Sequence, residues 1–127
     1  MAFQDLARRR VPDPLVLAVA GPPVTPRVAR DLIGQALAAG ATAVVVPVQR
    51  LDPAFFDLRT GVAGDIVQAL VTYRIRLVVV GGLPPAAAAS PSFAAFVREA
   101  NRGRHTWFAA SMADLHARLA GPNGDMP

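Results

Sequence analysis

Four short apolar runs recur along the chain: residues 15–20 (LVLAVA), 43–48 (AVVVPV), 75–80 (IRLVVV) and 106–109 (TWFA). Each is followed by a longer segment whose apolar residues repeat at helical spacing. Runs this short, rich in β-branched residues and bounded by Gly or Pro, read as strands covered on both faces, because polar residues scarcely alternate with the apolar ones. Strands separated by helices cannot pair through tight hairpins; they are joined by crossovers and lie mainly parallel. This one feature restricts the chain to an α/β architecture in β-α-β-α-β-α-β-α order, a four-stranded, mainly parallel sheet with helices packed on it.

Cap chemistry marks the helices between these strands. Thr25 before Pro26 offers a hydroxyl to an orphan amide and a first helical residue that has no amide to satisfy. Val28, Leu32, Ala36 and Ala39 continue at helical spacing to Gly40, a natural stop. Pro47 has no amide for the ladder, so it belongs at the end of its strand or at an unpaired position. Asp52-Pro53 caps a short turn through Phe55 and Phe56, after which Thr60 caps a helix from Gly61 to about Tyr73 with Val62, Ile66 and Leu70 on one stripe. Residues 81–89, two glycines, Leu83, two prolines and four alanines, form the connection after the third strand. Ser90-Pro91 repeats the cap signature ahead of Phe93, Phe96, Val97 and Ala100, and this helix runs to Asn101. Ser111 with Asp114 approximates a capping box for a last helix carrying Met112, Leu115 and Leu119 up to Gly121.

With 127 residues, one core is expected: a lead-in over residues 1–14, a single α/β domain over 15–120 and a flexible tail over 121–127. Hydrophobic residues make up 53% of the chain and charged ones 17%, so burial is feasible, although much of the apolar share is Ala. Some apolar surface is therefore expected to be left for a partner. The absence of Cys excludes disulfides, a thiol nucleophile and thiolate metal sites, and two histidines, His105 and His116, are too few for a histidine-rich metal site. All 13 basic residues are arginine, which excludes a Schiff-base lysine. The net charge of +4 is spread along the chain rather than gathered in one run, so nucleic acid is not favoured as a partner. Arg8, Arg9 and Arg10 precede an apolar run, but Pro12, Asp13 and Pro14 interrupt the pattern of a signal peptide, and a cytoplasmic protein is expected. The longest nearly apolar stretch, residues 36–48, contains Gly and Pro and falls short of the ~18 residues of a spanning helix, so no membrane role is expected.

Taken together, residues 55–66 (FFDLRTGVAGDI), 73–81 (YRIRLVVVG) and 98–108 (REANRGRHTWF), with Asp31, Leu32 and Ile33 in the first helix, resemble an uncharacterised bacterial family, the domain of unknown function 4180 family. The match runs in order over most of the chain. Where the family usually has an Asp after the third strand and a Lys within the second helix, this chain has Gly82 and Ala69. The order of elements also resembles the STAS domain, named for sulfate transporters and anti-sigma-factor antagonists, in whose regulatory members a serine before a glycine at a helix start is phosphorylated. Thr60 before Gly61 is in the comparable place, although Asp57 lies three residues ahead of it where the STAS motif has its acid two ahead. The resemblance implies a STAS-like fold and a regulatory or protein-interaction role.

Three groups of residues are candidate sites. Arg59, Thr60 and Gly61, with Asp57 and Asp65 nearby, could hold an anion or other ligand where the first amides of a helix and its positive dipole end point outward. The plainer reading is a cap, with Arg59 paired to Asp57 or Asp65. Tyr73, Arg74, Arg76, Asn101, Arg102 and Arg104 are expected at the opposite edge of the sheet, where arginine forks could grip phosphate or carboxylate; the plainer reading there is a helix C-cap. Phe55, Phe56, Leu83, Pro84, Phe93 and Trp107 could wall an apolar ligand pocket, or could simply be core.

No nucleophile, base and metal constellation emerges, no cofactor is implied, and neither histidine has an evident acidic helper. The expectation is a non-enzymatic module that binds a protein partner or itself. The alternative is a protein for a small anionic or apolar ligand, a binder or an enzyme without cofactor, using the aromatic residues as a pocket.

Overall fold

The computed structural model describes residues 15–120. Within them four strands, β1 (Leu15–Leu17), β2 (Ala43–Pro47), β3 (Arg76–Val80) and β4 (Thr106–Ala109), form one sheet in the order β1-β2-β3-β4. Every neighbouring pair is parallel, so the sheet is wholly rather than mainly parallel. The helices are α1 (Pro26–Ala39), α2 (Val62–Thr72), the single turn α3 (Pro85–Ala88), α4 (Pro91–Arg102) and α5 (Met112–Ala120), with three 3₁₀ turns between β2 and α2. The expectations for residues 1–14 and 121–127 fall outside the described residues.

Caps fix the helix ends much as their chemistry requires. Thr25 Oγ1 accepts from the Val28 amide, and Gly40 closes α1 in the left-handed conformation at φ 68°, where a side chain would be strained. Ser90 Oγ accepts from the Phe93 amide, and Ser111 Oγ from the Asp114 amide. Pro47 is the last residue of β2, paired with Val80.

Strand β1 stops at Leu17, three residues before the end of its apolar run. Beyond it the Ala18 amide still donates to Val45 O at 2.8 Å, but carbonyls there are taken by a side chain: Arg50 Nη1 donates to Ala18 O at 3.1 Å and Arg50 Nε to Pro22 O at 2.9 Å. A Cβ on Gly21 would run into this guanidinium. The stretch 83–89 likewise departs from a plain connection, because Pro85 opens the turn α3 through Ala88.

Alternation along the strands divides the core into two. Val44, Val46, Leu77 and Val79 pack with Leu32 and Ile33 of α1, Ile66 and Leu70 of α2 and Phe93 of α4. Val45, Val78, Val80 and Trp107 pack with Leu115 and Leu119 of α5. Right-handed crossovers between sequentially neighbouring strands place all crossover helices on one face, and α1, α2 and α4 share one accordingly. Only α5, which follows the last strand, covers the other face among the described residues. Among the described residues no helix is long and apolar enough to cross a membrane.

Candidate functional site

In a wholly parallel sheet, the loops that follow the strands gather at one edge, the usual place for ligands in open α/β folds. The segment between β2 and α2 lies there. Its backbone is held by two aspartates in turn: Asp52 Oδ1 accepts from the Ala54 amide at 3.0 Å, and Asp57 Oδ1 from the Arg59 amide at 3.1 Å. Asp57 also grips Arg59 by both forks, Nε to Oδ1 and Nη2 to Oδ2, each at 3.1 Å. Arg59 holds the Asp57 carboxyl below its ordinary value near 3.8, chiefly through the side-chain hydrogen bond and then through its amide. Thr60 Oγ1 is engaged as well, donating toward Ala54 O and Asp57 O at 2.8 Å and accepting from the Val62 amide at 3.2 Å. Gly61 is left-handed, at φ 80°, and stands directly before α2.

An open cavity of about 410 Å³ lies beside this turn, bounded by Asp57 and Arg59 on one side and by Ala86, Ser90 and Ser92 on the other. Asp65 does not join it. It lies on the outer surface of α2, so the two aspartates expected near one another face different surroundings.

At the opposite edge Arg76 and Asn101 are engaged in structure. Arg76 Nε donates to Arg104 O at 2.7 Å. Asn101 ties three elements together: its Oδ1 accepts from the Phe108 amide of β4 at 2.7 Å, and its carbonyl accepts from Arg118 Nη2 of α5 at 2.7 Å. Trp107 Nε1 donates to Gly103 O at 2.8 Å, while the Arg76 and Arg118 guanidiniums lie 4.1 and 3.7 Å from its ring centroid. Burial, and then the like charge of Arg76, lowers the Arg118 pKa. Arg118 escaped the sequence reading, since nothing in its spacing points across the sheet. Arg102 pairs only at the surface with Glu99 at 3.6 Å. Arg74 occupies a left-handed turn at φ 57°, and neighbouring Tyr73 is exposed. The six residues expected to form one surface are thus divided between internal contacts and solvent.

The apolar candidates are divided too. Phe55 and Phe93 are fully buried, with ring centroids 6.3 Å apart, in a cluster completed by Phe56, Phe96 and Phe108. Leu83 packs against the same core, and Pro84 is half-buried before α3. Trp107 belongs to the other face of the sheet. The sheet therefore sets Trp107 apart from Phe55, Phe56, Leu83 and Phe93, which gather on one face.

An open groove of about 540 Å³ lies between α1 and α2. Gly34 of α1 and Ala69 of α2 keep its floor low, Leu37 and Tyr73 flank it, and Arg30 and Asp65 stand on opposite helices. Leu37 is 52% exposed and Tyr73 54%, which makes them two of the few large apolar side chains at the surface. The sequence reading passed over Leu37. Its position off the α1 stripe was the available signal.

The model of the family described as Domain of unknown function (DUF4180) matches residues 15–119. The chain belongs to the DUF4180 family. That match takes in all four strands, both edges and the groove of this DUF4180 domain, and leaves out Ala120 alone among the described residues. No curated protein and no solved structure matches the chain. Among the described residues of the DUF4180 domain, no three His, Asp or Glu side chains gather to hold a metal ion.

Proposed function

We propose that this DUF4180 domain is a regulatory or protein-interaction module, STAS-like in kind and acting in the cytoplasm, which associates with a second copy of itself through the α1–α2 groove. One observation carries the reading: the groove combines exposed Leu37 and Tyr73 with a low floor at Gly34 and Ala69. Exposed apolar side chains around a concavity are typical of an association surface. A second copy is favoured by charge. Arg30 on α1 and Asp65 on α2 have no ion-pair partner among the described residues, and a two-fold axis through the groove sets the cation of each copy against the anion of the other. The engagement of Thr60 and Arg59 within their own turn further supports a binding module over a catalytic one.

Sedimentation velocity across a hundredfold range of concentration tests the proposal. A reversible dimer is expected, and Leu37→Glu should shift the protein to monomer without lowering its Tm, because that side chain is half in solvent. A strict monomer at every concentration overturns self-association. If affinity capture then recovers a different protein through the same groove, the interaction role stands with another partner.

A further inference from the structure

On the opposite flank of α2 a second concavity opens between α2 and α4, at the edge of the sheet where the strands begin. It measures about 240 Å³ and is narrower than the α1–α2 groove. Val67 and Val71 of α2 form one wall, and Phe96 and Ala100 of α4 the other. Thr106, the first residue of β4, lies at its floor. Thr106 is only 4% exposed, and its Oγ1 is buried without a hydrogen-bond partner.

Among the described residues that hydroxyl is one of two buried side-chain polar atoms without a partner, the other being His116 Nδ1 on α5. Buried polar groups in folded proteins almost always find a partner, and an unpaired one carries its full desolvation penalty. Valine has nearly the same shape and would leave nothing unpaired. Threonine carries a methyl and a hydroxyl on one carbon, so a single staggered step of χ1 presents either to an occupant of the cavity. An incoming hydroxyl group can donate to Oγ1 or accept from it.

The remaining lining defines the rest of the occupant. No arginine borders the cavity; the ionisable neighbours are His105 and Glu99, both exposed at the mouth. A carboxylate there disfavours anions, and the valine and phenylalanine walls disfavour strongly polar molecules. Since water takes up about 30 Å³ per molecule in the liquid, the space suits a compound of about eight to ten non-hydrogen atoms. We infer that this cavity is a binding site for a small neutral molecule, apolar except for one hydroxyl group, which Thr106 receives.

Benzyl alcohol is a suitable probe, compared with toluene, which lacks the hydroxyl, and benzoate, which is anionic. Titration of the labelled protein should shift the amide signals of Val71, Ala100 and Thr106. Benzyl alcohol should bind about tenfold more tightly than toluene, in line with one net hydrogen bond, and benzoate should bind far more weakly than either. Thr106→Val should erase the preference for the alcohol, keep toluene binding and leave Tm at or above the original. Ala100→Phe, at a half-exposed position, should block both neutral probes. Equal affinities for alcohol and toluene in the original protein overturn the inference. So do shifts scattered over the surface, a preference that survives Thr106→Val, and undiminished binding to Ala100→Phe.

Discussion

Thr60 Oγ1 shares its proton between two carbonyls and accepts the first free amide of α2, so one small side chain closes a 3₁₀ turn and opens a helix. Thr60→Val should therefore cost about 1–2 kcal/mol in denaturant unfolding with an unchanged m-value, the range for losing a cap together with a turn hydrogen bond. Asp57 acts one step earlier and through charge. Because Arg59 depresses its carboxyl pKa, this residue stabilises the fold above the unfolded value near 3.8, and the contribution is lost as pH falls through the lower folded value. The pair is exposed, and its effect is small. The stability difference between the original and Asp57→Asn should be flat near neutral pH and shrink below about pH 4; an NMR titration of the Asp57 side chain checks the direction independently. Thr60 bonds the Val62 amide as a cap would, but Gly61 rather than Thr60 holds the N-cap position of α2. Asp57 as a partner of Arg59 was readable from sequence, since such a contact spans two residues. The alignment of Arg118 with Trp107 was not, because it depends on how α5 settles on the sheet.

At the scale of elements, Asn101 is the joint most exposed to a single change. Its side-chain Oδ1 accepts from the Phe108 amide and its backbone carbonyl anchors Arg118, so α4, β4 and α5 meet at this residue. Asn101→Ala should cost about 1–3 kcal/mol, since it strands a part-buried amide, and chemical denaturation measures it directly. The sequence placed Asn101 correctly at a helix end, where its role looked local. The strands and longer helices were legible because burial imposes a period and caps punctuate it. Turn α3 was not, since four residues are too few to show a period. Adjacent residues of a strand face opposite ways, so Trp107 and Phe108 had to part; sequence alone did not tell which of them Phe93 would join. That choice is made by the crossover of α4, and it set Trp107 apart from the other apolar candidates.

For the molecule as a whole, the sequential order of the strands puts α1, α2 and α4 side by side on one face, and two concavities result, one on each flank of α2. The charge pairing proposed for association has a test at this scale. Arg30→Asp and Asp65→Arg should each weaken the dimer, and the double exchange should restore it, as read by sedimentation equilibrium; a double variant no better than the singles would assign the contact to another surface. None of this was legible from composition beyond the surplus of apolar residues, because a groove arises only when two helices are set beside each other. Trp107 gives the arrangement a further consequence. It is the single tryptophan of the chain, buried, tethered to Gly103 O and overlain by two guanidiniums, one position along the strand from the Thr106 floor. Its ultraviolet emission is therefore an intrinsic optical gauge, blue-shifted while α5 is seated and moving toward the red when that helix lets go.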